Sequence, residues 1–324
     1  MPIPRTRGSL ALALLLCSAL GLAASPLGLI DQPQTFPWSV GLGPVALEEA
    51  GGLAPGAFRA RSSVLWFNTY RQNWNDSEMT QQIDMEGLLE TLSAAWSPAP
   101  GWELRGQVQG WVLGGGIMDV FLSGFHHALS LNNQGRDSAS PGQYRDYLKG
   151  YFDLGSPVSG LTQYSLGARF HTGQWSLSGW IKPPLPAPVD WAWTGSWSGG
   201  VGAGWGDTWP WPDAGLLFGA GASLALIVTE EDPVFPGASG VFAPQFGFYG
   251  TLSGSWGPRA VFEGSWTRVP RSGEGYLAQG AGLLTMGIQW PLGKTMSLEA
   301  ALTEEFLTWA TMEVGFQAGI IWSP

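Results

Sequence analysis

Asp119, His126, His127, Arg136 and Asp137 lie in one stretch of the chain and are its clearest candidates for ligand chemistry. Adjacent histidines on a helix point about 100° apart, so His126 and His127 make a poor chelating pair. A dependable metal motif sets its ligands at i and i+4, as in His-Glu-x-x-His, and the chain has none. No metal or other cofactor is expected, and no residue is assigned a catalytic role. Two readings of the five residues stay open. In one, Asp119 caps or pairs locally and Arg136–Asp137 orders the loop exit; in the other, the loop contacts a ligand.

The elements around these residues show two periods. Over most of the chain apolar and polar residues alternate. In the last segment Met312, Val314, Phe316, Ala318, Ile320 and Trp322 share one face, opposite Thr311, Glu313, Gly315, Gln317 and Gly319. One face suits lipid and the other a lumen. Twelve segments of roughly the 9–11 residues a tilted transmembrane strand needs are expected, at 59–72, 81–96, 102–113, 161–171, 174–183, 191–205, 214–228, 241–255, 259–269, 280–291, 296–304 and 311–322. At 114–137 the period changes. Ile117, Phe121, Phe125 and Leu129 recur every fourth residue, which predicts a short helix in the first long outer loop. Such a helix can fold over or into the lumen, or lie among lipid headgroups.

The fold class is therefore all-β: a transmembrane antiparallel barrel of about 12 strands. Arg5 and Arg7, the apolar run Leu10–Leu22 and Ala23–Ala24 read as a signal peptide over 1–24. Residues 25–58 form a periplasmic lead-in and 59–324 the barrel. The expected place is the bacterial outer membrane of a Gram-negative envelope. Cys17 is the one cysteine and leaves with the signal, so disulfide and thiolate chemistry are excluded. Only 12% of residues are charged and the formal net charge is −10. That acidity argues against a nucleic-acid partner. Expected partners are outer-membrane lipids and lipopolysaccharide, the barrel-assembly machinery and possible small solutes.

Short connections at Pro98–Gly101, Thr172–Gly173, Gly257–Pro258 and Gly293–Lys294 alternate with longer ones, 73–80, 114–160, 184–190, 229–240 and 270–279. The short ones belong in the periplasm. The connection 206–213 reads as too long for its periplasmic place. A charged side chain facing lipid at mid-depth costs roughly 2–4 kcal/mol for Arg or Lys. Charges on strands are accordingly expected inside: Asp84, Glu86, Glu90, Glu103, Arg105, Arg169, Lys182, Arg259, Glu263 and Glu299. They make either a lumen closed by ion pairs or a narrow polar pore that selects solutes.

Gly116-Ile-Met-Asp119, Phe121-Leu-x-Gly-Phe-His126 and Asn133-x-Gly-Arg-Asp137 resemble a family of uncharacterised bacterial outer-membrane proteins, domain of unknown function family 3187. The resemblance extends over most of the mature chain. It implies an outer-membrane barrel and supplies no reaction. Passive or gated passage of a small solute is the first expectation. A closed structural or lipid-associated barrel is the second. Lipid hydrolysis is the third, and it needs a histidine beside a serine near the outer leaflet. The only histidine on a strand, His171, falls at the opposite end.

Overall fold

In the computed structural model, the residues described are 28–30, 51–128, 142–149, 152–185, 196–211, 214–230, 240, 242–254, 257–268, 281–305 and 314–324. The signal peptide, Arg136 and Asp137 lie outside them, and so does the side chain of His126.

Twelve antiparallel strands close a barrel. They are β1 (Phe58–Asn75), β2 (Glu78–Ala99), β3 (Trp102–Gly114), β6 (Val158–Thr172), β7 (Trp175–Lys182), β8 (Ser198–Trp211), β9 (Leu216–Thr229), β10 (Phe242–Gly254), β11 (Arg259–Thr267), β12 (Ala281–Pro291), β13 (Met296–Glu305) and β14 (Val314–Trp322). Each pairs with its sequence neighbour, and β1 pairs with both β2 and β14, which closes the wall. A small hairpin, β4 (Arg145–Leu148) and β5 (Phe152–Leu154), extends the wall beyond β3 by pairing β4 with Gln81–Asp84 of β2. One helix, α1 (Met118–Ala128), follows β3. No helix among the described residues is long and apolar enough to cross a membrane; the strands do so.

Alternation decides which side chains meet lipid. Val64, Leu88, Leu92, Leu177, Val201, Leu224, Phe246 and Ile320 are exposed on the outside. Ser63, Thr91, Gln109, Ser176, Ser223, Gln245, Thr285 and Gln317 are buried inside. Six exposed tryptophans, Trp96, Trp102, Trp175, Trp209, Trp290 and Trp322, ring the short-turn rim. They form the amphipathic girdle expected where hydrocarbon meets water. Glycine helps the wall close-pack: the ring of Phe248 lies across Gly264 on the neighbouring strand, where an added Cβ would sit 2.2 Å from its Cζ.

Three expectations about the strands are corrected. The connection 73–80 is not an open loop, because β1 and β2 continue as a ribbon to Asn75↔Glu78. Asp76 turns it with φ 55°, a left-handed conformation that Asp tolerates. The segment expected at 191–205 lies further on, at Ser198–Trp211. The long periplasmic connection at 206–213 therefore disappears, since residues through Trp211 pair with β9. Pro210 falls within this strand. It lies beyond the end of β7, whose pairing with β8 stops at Trp175↔Trp205, and so has a partner on one side only. A one-sided position is where a strand accepts proline.

The third correction concerns charge. Asp84, Glu86 and Glu90 do share one face of β2, but it is the outer one. Glu90 pairs with Val64 and Gly110 in the row that carries Leu88, Leu92 and Trp96, and it is exposed. Both faces of β2 mix polar and apolar residues, so its own alternation does not separate inside from outside. The register with β1 and β3 does.

Candidate functional site: the lumen and its N-terminal segment

The remaining lumen candidates do point inward. Glu103, Arg169, Lys182, Arg259, Glu263 and Glu299 are buried, and Arg105 is half-buried beside Glu103. Glu103 pairs with Arg105 and Arg59 and stands opposite Arg169 in the ladder. Two residues along β1 from Arg59, Arg61 lies 3.4 Å from Glu299 of β13. Glu299 also accepts from Gln289 at 3.0 Å and from Gln317 at 3.2 Å. The pairing is sensible in a lumen: a buried charge without a partner costs several kcal/mol.

The interior has a second occupant, from residues expected in the periplasmic lead-in. Residues 28–30 run along the inner face of β11–β13. The carbonyl of Gly28 accepts from Arg259 at 2.8 Å and from Gln289 at 3.1 Å. The amide of Ile30 donates to Glu263 at 2.6 Å. The Ile30 side chain is 2% exposed and packs on Val261 and Ala301. Gly287 makes room for it, since a Cβ there would sit 2.3 Å from Ile30 Cδ1. On the opposite wall the Leu53 amide donates to Glu103 at 3.3 Å, and Gly52 sits against the His171 ring. The charged lumen side chains thus bind the chain's own N-terminal segment as well as each other. No periodic signal marks residues 28–30, because a few extended residues bound through their backbone carry no face pattern.

The interior is not polar throughout. On the β1–β3 wall, toward the long-loop rim, Leu65, Phe67, Met85, Leu89, Trp111 and Leu113 are buried inside. Phe67 and Leu113 close over Gly87, where a Cβ would lie within 2.9 Å of both. This wall packs like a soluble core, and the expectation of a polar interior fails there.

The loop helix lies outside. Met118 donates its amide to Glu86 at 2.6 Å, and Glu86 also accepts from Trp66 Nε1 at 2.6 Å. Glu86 and Trp66 belong to the outer rows of β2 and β1, so α1 covers the outer wall. Asp119 is buried; it accepts from Asn68 at 3.0 Å and from the Gly142 amide at 3.1 Å. Met118 and Leu122 face the barrel, whereas Ile117, Val120 and Phe121 are 75%, 64% and 58% exposed. His127 is exposed on this helix, away from the lumen candidates. Asp119 and His127 therefore do not converge with the lumen charges. Among the described residues no group of three or more His, Cys, Asp or Glu is arranged to hold a metal.

On the loop hairpin, Asp146 sits opposite Ile83 of the inner row and is fully buried. Neither of its carboxylate oxygens has a hydrogen-bond partner, and burial pushes its pKa up to about 8. Burial and the nearby Asp146 raise the Tyr144 phenol as well. Arg145, on the other face, is held by Asp153 at 3.0 Å, which raises its pKa. No motif flags Asp146; only the β2–β4 register places it inside.

The fold is shared with solved outer-membrane barrels. The COG4313 outer membrane channel from Pseudomonas putida F1 superposes with a TM-score of 0.55 at 8% identity, covering 86% of this chain and all (100%) of that one. The β domain of the Bordetella autotransporter BrkA gives 0.43 at 16% identity, covering 84% and 100%. The translocator domain of the autotransporter NalP from Neisseria meningitidis gives 0.43 at 10%, covering 83% and 89%. At 8% identity the likeness to the channel is one of fold, and with the closed, lipid-faced wall it makes this a bacterial outer-membrane protein. No curated protein matches the sequence. The model of the family described as Protein of unknown function (DUF3187) matches residues 28–150, a stretch that runs from the lumen segment through α1 to β4.

Proposed function

We propose that the barrel is a gated passage for a small solute, with the N-terminal segment as the element that narrows it. The observation that carries this reading is the seating of Gly28–Ile30 against Arg259, Gln289 and Glu263 inside the wall. A purely structural barrel can fill its lumen with wall side chains alone. Here the wall leaves room at Gly287 for a segment that covalent geometry does not oblige to be there. The described part of the segment is held by a few polar contacts and the Leu29 and Ile30 side chains, a scale of interaction that a ligand or partner can offset. Purified mature protein in planar bilayers tests it. Small discrete conductance is expected, rising when residues 25–50 are deleted; a silent bilayer for both chains rejects the reading.

A lipid-associated envelope role is the second reading, and α1 favours it. The outward face formed by Ile117, Val120 and Phe121 suits the headgroup boundary. Envelope leakiness on gene deletion, without conductance in vitro, would support that role over passage.

A further inference from the structure

The lumen wall from β6 to β10 differs from the rest of the interior. Among the described residues its inner rows carry no carboxylate. They read Gln163, Ser165, Gly167, Arg169 on β6, then Ser176, Ser178, Trp180, Lys182 on β7. On β8 they are Ser198, Gly200, Gly202, Gly204; on β9, Ser223, Ala225, Ile227, Thr229; on β10, Ala243, Gln245, Gly247, Tyr249. The acidic lumen residues Glu103, Glu263 and Glu299 stand on β3, β11 and β13.

At the long-loop end of this wall Lys182 is 0% exposed, and its ammonium has no hydrogen-bond partner. Ser198 stands directly opposite on β8, its hydroxyl also without a partner. Directly opposed side chains are about 5 Å apart at Cβ. One step down the same row, Trp180 lies flat across Gly200, where a Cβ would sit 2.7 Å from its Nε1. The ring reaches the apolar pair Ile227 and Ala243, and its N–H has no acceptor. On the other side, Ile181 pairs with Leu166, which brings Ser165 and Gln163 of β6 beside Lys182. Gln163 is buried with both amide atoms unpartnered.

Four unpartnered hydrogen-bond donors thus occupy nearby positions on the inner wall: an ammonium, a hydroxyl, an indole N–H and a carboxamide N–H. Next to them lies a flat aromatic surface. A buried ammonium with no counter-charge is costly, and an anion is the ligand that offsets that cost most. The indole face and Ile227 offer an apolar body a place to lie. We infer that Lys182, with Ser198, Trp180 and Gln163, forms a lumenal subsite for a small organic oxyanion, a carboxylate or phosphate on an apolar body. This rests on the barrel being a passage and adds the class of solute it handles.

Benzoate serves as the probe, with benzylamine as its charge-reversed counterpart. Binding to the folded, detergent-purified mature barrel is measured by saturation-transfer NMR, and conductance and reversal potential in planar bilayers under a tenfold KCl gradient. Wild type binds benzoate and not benzylamine. Lys182→Met weakens benzoate binding at least tenfold, Ser198→Ala severalfold, and Lys182→Arg largely restores it. If the barrel conducts, Lys182→Met also moves the reversal potential toward potassium selectivity. Equal benzoate binding by wild type and Lys182→Met, no binding by wild type, or equal binding of benzylamine overturns the subsite. Lys182-dependent binding in a barrel that never conducts keeps the subsite and removes the passage. Conductance with Lys182-independent binding does the reverse.

Discussion

Replacing Ile30 with alanine should loosen the lumen segment without harming the wall. The side chain is 2% exposed and packs on Val261 and Ala301. Burying an isoleucine is worth about 1.5–3 kcal/mol, and truncating one in a packed site costs about 2–5 kcal/mol. The segment can leave its seat rather than keep a cavity, so the lower part of that range applies, about 2–3 kcal/mol. At tenfold per 1.4 kcal/mol, the seated fraction falls roughly 30- to 140-fold relative to the released one. The backbone bonds to Glu263, Arg259 and Gln289 are unchanged by the substitution, so the effect isolates the side chain. Cys17 is the only cysteine, so with it replaced an Ala301→Cys reporter behind Ile30 is unique. A small water-soluble thiol reagent should modify that cysteine slowly in the parent and at least tenfold faster with Ile30→Ala. Conductance should rise in parallel. Equal modification rates with equal conductance would refute the view that this segment obstructs the lumen.

Asp119→Ala removes the acceptor for Asn68 and the Gly142 amide, so α1 should detach at a cost of about 1–3 kcal/mol; limited proteolysis near 129–141 should accelerate while barrel melting hardly changes. Asp146 has a folded-state pKa of about 8, above the ordinary carboxylate value, so its neutral form is the one the fold accepts. The docking of β4–β5 is then strongest below about pH 4 and weakens as pH rises towards 8. Amide exchange in β4 should show that trend, and Asp146→Asn should flatten it. Glu90→Leu replaces an exposed carboxylate on the lipid-facing row and should stabilise the barrel by roughly 1–2 kcal/mol; denaturant unfolding in lipid vesicles measures it, and a loss of stability would point to a partner at that face.

Sequence alone determined the class of fold, the strand number and most facing residues. Hydrocarbon tolerates few polar side chains and a strand repeats every second residue, so Leu177, Val201, Phe246 and Ile320 announce their side through a period that needs no partner. The helix at 118–128 was legible for the same reason at its own period. Tertiary structure decided what that period cannot carry. Glu86 and Glu90 sit on a strand whose two faces both mix polar and apolar residues, and only hydrogen-bonded register with β1 and β3 places them outside. The ribbon tip at Asp76 and the one-sided strand end at Pro210 depend on which neighbour is absent. Gly28–Ile30 enter the lumen through backbone groups and two adjacent apolar side chains, which leaves no periodic pattern in the sequence. Among the described residues, the absence of a carboxylate from the inner rows around Lys182 depends on strands far apart in the chain, because electrostatics acts across space.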